Sequence, residues 1–325
     1  MEIVHTPVLL NEVVSYLSPV GEEYEHNAFM VDSTLGEGGH SETFLKLFSD
    51  LHIIGLDADK NIQARAKERL SVFGNRMEFY NGWFNDFYAN YPDRLHRPNI
   101  ILFDLGVSVF HYEKSGRGFS FRYDEKLDMR LNENEGESAS DIVNTMREKE
   151  LADLIFNFSE ERYSRRIARS IVETRETCPI TSSKQLAEII YKSVPQDYRH
   201  GAIHPATKTF QALRIAVNSE LSRLPKALND AFRCLEVGGK MGVITFHSLE
   251  DRIVKNEFRS WAQKCCCPPT QAICTCGGKP RCELLTRKPV CPSEKEIKNN
   301  SPSRSAKLRV IRKLREVDFV GSKEK

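Results

Sequence analysis

Three short segments in the first third of the chain carry residue types whose spacing suits a nucleoside-bearing ligand. The apolar run Phe29-Met30-Val31 leads into Gly36-Glu37-Gly38-Gly39. Glycines at such a turn let backbone N–H groups approach a ligand closely and leave the N-terminus of the following helix open to it. A second run, Ile53-Ile54-Gly55-Leu56, ends at Asp57. That acid lies about 20 residues beyond the turn, where a carboxylate commonly accepts hydrogen bonds from ribose hydroxyls. A further run, Ile100-Ile101-Leu102-Phe103, ends at Asp104, at a strand end of the kind where doubly wound folds place their chemistry. Singly these signals are weak, because most α/β proteins have a glycine after one strand and an acid after another. Together they discriminate. A dinucleotide fingerprint needs G-x-G-x-x-G; Gly36 and Gly38 fit it, but Ser41 stands in the last place. The combination favours the shorter, single-nucleoside turn of S-adenosylmethionine-dependent methyltransferases over that of NAD enzymes.

Other reactive residues support less. His247-Ser248 follows an apolar run, but no G-x-S-x-G elbow surrounds the serine. Ser248-Leu249-Glu250-Asp251 reads as a capping box, with serine first and an acid three residues later. Seven of the nine cysteines fall between Cys265 and Cys291, a local knot rather than the spread framework of a small secreted chain. Four such thiolates could make a structural zinc site, although Cys274-x-Cys276 lacks the usual two-residue gap. The competing reading is a reduced loop, and no metal is expected among the reacting groups. Asp128 and Arg130 form a D-x-R pair, more often an internal salt bridge than a substrate contact.

The elements that must position these residues alternate as βαβ units from 28 to 108. After the glycine turn a helix carries Phe44, Leu45 and Phe48 on one side. After Asp57 another places Ile62, Ala66, Leu70 and Phe73 in one stripe, stopped by Gly74. Met77-Glu78-Phe79-Tyr80 is a third strand. From about Phe110 the rhythm breaks, and residues 138–195 read as helical, an all-α insertion. The α/β pattern returns near Phe210, with strands over Met241–Phe246 and Ala306–Ile311. The expected division is 1–112 for the first part of the sheet domain, 113–204 for the linker and helical insertion, and 205–325 for the second part.

With 40% hydrophobic and 28% charged residues, the 325-residue chain has a globular composition, and its net charge of +2 implies no general affinity for polyanions. No run approaches the roughly 18 apolar residues of a membrane helix, and the N-terminus lacks the features of a signal peptide. A cytoplasmic location is expected.

Several long segments make the chain resemble the bacterial small-subunit ribosomal RNA methyltransferase H family (RsmH, or MraW). They are Gly36-Glu37-Gly38-Gly39-His40-Ser41, Leu102-Phe103-Asp104-Leu105-Gly106-Val107-Ser108, Arg117-Gly118-Phe119-Ser120-Phe121 and Leu127-Asp128-Met129-Arg130. His204-Pro205-Ala206-Thr207-Lys208-Thr209-Phe210 and Phe246-His247-Ser248-Leu249-Glu250-Asp251-Arg252 complete the set. The resemblance implies a class I, Rossmann-like S-adenosylmethionine-dependent methyltransferase sheet with an inserted all-α substrate-binding domain. It implies methylation of the N4 amine of a cytidine in the decoding (P-site) region of 16S rRNA, in the small (30S) ribosomal subunit. Carried over by position, Gly38, Gly39, His40, Asp57, Phe84, Asp104 and His111 hold the cofactor, with Phe84 beside the adenine. His111 departs from the family's usual Gln, Lys208 replaces a customary Arg, and Pro302 stands where another Arg is usual.

A cytosine amine is a poor nucleophile because its lone pair is delocalised into the ring, so an acceptor at the N–H bonds assists attack. Asp104 is the expected acceptor, and it competes for that role with cofactor binding. The sulfonium donor is already activated, so positioning supplies most of the rest. Arg162, Arg165, Arg166 and Arg169 recur at helical spacing as a basic face, and Lys307, Arg309, Arg312, Lys313 and Arg315 add charge near the C-terminus. By spacing alone the arginine helix reads as a solvated face paired with Glu160, Glu161 and Glu173, whereas the resemblance implies that both segments meet RNA phosphates. His204 and His247 are assigned either to RNA contact or to structural hydrogen bonding. The oligomeric state is left open, a dimer included.

Overall fold

The computed structural model describes residues 6–19, 28–201, 203–265, 267, 271 and 278–316. The chain forms two compact units, Met1–Gly106 with Arg223–Lys325, and Val107–Ser222.

The first unit contains α1 (Leu10–Leu17), β1 (Phe29–Asp32), α2 (Gly39–Leu47), β2 (His52–Asp57), α3 (Lys60–Leu70), β3 (Met77–Asn81), α4 (Phe84–Ala89) and β4 (Ile100–Asp104). The second holds α5 (Val109–Glu113), α6 (Ala139–Thr145), α7 (Glu148–Ser159), α8 (Ser164–Arg175), α9 (Ser183–Ser193), α10 (Gln196–Arg199) and α11 (Ala206–Val217). The chain passes from the second unit back to the first within α12 (Glu220–Cys234). It then forms β5 (Lys240–Thr245), α13 (Ser248–Trp261), β6 (Cys282–Leu284), α14 (Glu294–Asn299) and β7 (Lys307–Lys313).

The strands make one sheet in the order β3-β2-β1-β4-β5-β7-β6. Pairing is parallel from β3 across to β5, while β7 runs antiparallel to β5 and β6 antiparallel to β7. This is the expected class I α/β sheet. Strand side chains alternate between its faces. Met30, Ile53, Ile100 and Leu102 pack with Val13 and Leu17 of α1 and Phe44 of α2. Val31, Ile54, Ile101 and Phe103 pack on the other face with Phe87 of α4, Leu228 of α12 and Phe258 of α13. Covering both faces explains why these strands read as unbroken apolar runs. β1 lies between β2 and β4, so the order reverses there. The carboxyl ends of these strands therefore flank a crevice, the place where such sheets bind ligands.

The helical unit has its own core, in which Leu151, Ile155, Ile167, Ile171, Leu186, Ile190 and Leu213 are buried together. Its bounds differ from the expected 113–204, because α11 packs on α7 and so belongs with the helices. Two local expectations also shift. The helix after Asp57 ends at Leu70, with Phe73 in a 3₁₀ segment, Ser71–Arg76. The cap of α13 is His247 rather than Ser248: the imidazole receives the N–H of Glu250, and the Glu250 carboxylate receives the N–H of His247. A ring nitrogen thus fills the role expected of the serine hydroxyl, one residue earlier.

Candidate active site

The turn after β1 is stitched to both neighbouring strands. Ser33 N–H donates to the Leu102 carbonyl and Leu35 N–H to the Leu56 carbonyl, both at 2.8 Å. Thr34 Oγ1 accepts the Asp104 N–H at 2.6 Å. The Gly36 N–H donates to Asp57 Oδ2 at 2.8 Å, and the Asp59 N–H donates to Asp57 Oδ1 at the same distance. Asp57 therefore fixes the glycine turn to the end of β2. Each of its oxygens receives one of these backbone donors, and a carboxylate oxygen can accept more than one.

Two glycines at the start of α2 are required by space. Gly38 has φ +80°, and a Cβ there would sit 2.7 Å from Leu70 Cδ1. A Cβ on Gly39 would sit 2.5 Å from Pro7 Cγ. A side chain at either position would have to displace Leu70 or Pro7, and at Gly38 it would also meet an unfavourable positive φ.

Three strand-end acids hold protons unusually well. Asp32 is buried and receives the Ser41 hydroxyl at 2.6 Å; burial pushes its carboxyl up to about 6, against the opposing effect of Ser41. Burial pushes Asp57 up to about 7, despite its two backbone donors. Asp104 is raised well above the usual carboxylate range by burial, with Asp32 and Glu250 adding like charge. Its Oδ1 is buried and has no hydrogen-bond partner among the described residues. Its Oδ2 lies 3.7 Å from Nδ1 of His40, the second residue of α2, whose Nε2 is 3.0 Å from the Val8 carbonyl. Phe84, half-buried at the start of α4, stands edge-on to Phe103 at 5.6 Å.

Of the expected site residues, Gly38, Gly39, His40, Asp57, Phe84 and Asp104 belong to the sheet unit and gather at its strand ends. His111 belongs to the helical unit. There it is buried on α5, with its ring 5.2 Å from that of Phe119. Asp128 and Arg130 form a bidentate pair, with Nε donating to Oδ1 at 2.7 Å and a terminal nitrogen to Oδ2 at 2.9 Å. His204 stacks on Phe121 at 4.5 Å. Arg165, Arg166 and Arg169 are exposed on α8. Arg162 precedes that helix, its guanidinium over the rings of Tyr163 and Tyr198 at 4.7 and 4.9 Å.

In the cysteine-rich segment, Cys266, Cys274 and Cys276 lie outside the described residues. Cys282 is buried in β6, its thiol directed at the Phe258 carbonyl, and burial pushes it up to about 12. A thiol so held is a poor source of the thiolate that zinc requires. Sequence reasoning passed over Asp32, Thr34 and Ser41. Asp32 carried the same signal as Asp57 and Asp104, an acid closing an apolar run, whereas nothing in the pattern distinguishes Thr34.

Comparison with known proteins accords with this geometry. A 59% identical relative from Treponema denticola, named ribosomal RNA small subunit methyltransferase H, aligns over 314 residues, covering 97% of this chain and 98% of its own. One of the same name from Carboxydothermus hydrogenoformans is 45% identical over 97% of this chain and 99% of its own. Among solved structures, an rRNA methylase from Streptococcus thermophilus covers 94% of both chains at 10% identity and a TM-score of 0.40, too loose a likeness to add weight. The family model described as the MraW methylase family matches residues 2–314, and with relatives this similar across their full length, the chain belongs to that family.

Proposed function

We propose that this protein is an S-adenosylmethionine-dependent methyltransferase that modifies the N4 amine of a cytidine in the decoding region of small-subunit ribosomal RNA. Family membership and the names of its relatives support the reaction class and the RNA. The observation that carries the reading is the buried, unpartnered Oδ1 of Asp104 at the carboxyl end of β4, beside the glycine turn.

The residues at the strand ends fit the cofactor. The N-terminus of α2, opened by Gly38 and Gly39, offers backbone N–H donors. Asp57 has acceptor capacity for ribose hydroxyls beyond its two backbone bonds, and Phe84 offers an aromatic surface for the adenine. S-adenosylmethionine, when bound, supplies a methyl group already activated by its sulfonium. Asp104 Oδ1 accepts an N–H of the target amine, which localises the nitrogen lone pair for attack. The remaining contribution is orientation. Arg165, Arg166 and Arg169 of the helical unit meet RNA phosphates, which position the protein without reading sequence. Specificity then comes from the folded particle, so the substrate is the assembled or nearly assembled small subunit in the cytoplasm.

The test supplies purified small subunits, deproteinised RNA and a short target oligonucleotide to the enzyme with labelled cofactor, followed by nucleoside mass spectrometry. N4-methylcytidine is expected, with the subunit labelled well ahead of the oligonucleotide. Label on another base would reject the N4 assignment, and equal labelling of all three would reject the particle requirement.

A further inference from the structure

We propose that His40 and Asp104 act as one proton-accepting pair, in which the imidazole takes the proton from one carboxyl oxygen while the other oxygen receives the proton of the substrate amine. This rests on the reading that Asp104 faces that amine.

The argument begins at Val8. A carbonyl can only accept, so the His40 Nε2, 3.0 Å from it, carries hydrogen, and the neutral ring leaves Nδ1 as an acceptor. That acceptor faces Asp104 Oδ2 at 3.7 Å. Two acceptors face each other favourably only with a proton between them, and the raised proton affinity of Asp104 supplies it. The charged groups acting on Asp104 from neighbouring elements are Asp32 on β1 and Glu250 on α13. Both are acids, and both favour keeping that proton. A movement of less than about 1 Å brings Oδ2 and Nδ1 to hydrogen-bond distance.

A protonated carboxyl is a weak base by itself. With His40 behind it, the amine N–H breaks and leaves its electron pair on the nitrogen that gains the methyl group, and the proton passes to Oδ1. At the same time the Oδ2–H bond breaks and Nδ1–H forms. The carboxyl ends neutral, as it began, and the positive charge rests on the imidazolium. No bare carboxylate is created in the buried site, whose desolvation would oppose one. His40 lies in the first turn of α2, whose N-terminal end disfavours a lasting cation, so the ring returns its proton to solvent after the reaction.

Nitrogen-15 NMR of histidine-labelled, cofactor-free protein tests the pair directly. Nε2 is expected to be protonated, with Nδ1 shifted from the bare-nitrogen position toward the protonated one and returning to it in Asp104→Ala. A wild-type ring protonated at Nδ1 alone, or an Nδ1 signal unmoved by Asp104→Ala, would overturn the proposal. His40→Gln gives a second test, since its amide keeps a donor for Val8 but has no basic nitrogen. Its kcat should fall about 100-fold with an altered pH–rate profile. Wild-type kcat in His40→Gln, together with an inactive Asp104→Asn, would remove the pair and leave the Asp104 reading standing. Wild-type activity in Asp104→Asn would remove both.

Discussion

Asp104 in the sheet unit and Asp128 in the helical unit are both inward-facing acids, yet they titrate in opposite directions. The Asp128 side chain is the more buried, 5% exposed against 23% for Asp104. Burial raises the proton affinity of both carboxyls. At Asp128 burial is outweighed by the bidentate bond with Arg130, which holds the carboxyl below its usual range. Among the described residues Asp104 has no Lys or Arg partner, and acids flank it. A cationic partner offsets burial at Asp128, and nothing of the kind offsets it at Asp104. A carboxylate given an arginine is committed to holding a loop, whereas one set among other acids with a buried, unpartnered oxygen suits the proposed chemistry.

The largest effect should come from Asp104→Asn. The amide still accepts a hydrogen bond but cannot take up or pass on a proton, so kcat should drop by about 10²- to 10⁴-fold, while calorimetry shows cofactor affinity changing by less than about tenfold. A loss confined to affinity would make Asp104 a cofactor ligand and break the contrast with Asp128.

Asp128→Ala should act on the fold instead. Leaving Arg130 unpaired should cost about 2–3 kcal/mol in denaturant melts. The pH dependence separates the two kinds of acid. Asp128 is depressed in the folded protein, so its stabilisation is present above its unfolded pKa of about 4 and is lost as pH falls through the lower folded value. Asp32 is raised, so it lowers stability as pH climbs from about 4 to about 6. Asp32→Asn should reduce that slope by at most about 1.4 kcal/mol per pH unit, with Asp57 and Asp104, also raised, keeping their share. Melts at pH 4, 5 and 6 read it out; an unchanged slope would mean that Asp32 is not the group responsible.

Asp57→Ala should weaken cofactor binding by about 1–3 kcal/mol, because it removes a ribose acceptor and also frees the Gly36 N–H. An unchanged calorimetric Kd would exclude it from the site. The smallest effect should follow from reversing Arg165 and Arg166 to glutamate. Subunit binding should lose roughly one unit of salt slope per phosphate contact, with no change in cofactor affinity.

The sequence made the sheet legible because strands covered on both faces are continuous apolar runs closed by an acid. It hid what depends on contact across the fold. β6 is three residues inside a cysteine-rich stretch, and only pairing with β7 makes it a strand. The α13 cap moved to His247 because an imidazole accepted where a hydroxyl was expected. Asp57 and Asp104 could be found from strand ends, but the link from Thr34 to the Asp104 N–H could not, since it joins positions brought together only by the pairing of β1 with β4.

The parallel pairing of Ile100 in β4 with Lys240 in β5 also has a consequence for the order of events at the ribosome that makes this protein. Four strands of the sheet are synthesised well before the fifth, and the contiguous helical unit emerges in between. At about 5–20 residues per second the wait is on the order of ten seconds, far longer than local helix formation needs. The helical unit is therefore expected to become protease-resistant first, with β4 exposed along one edge until β5 arrives. During that interval the nascent chain carries an unpaired apolar strand, the hazard that chaperones cover.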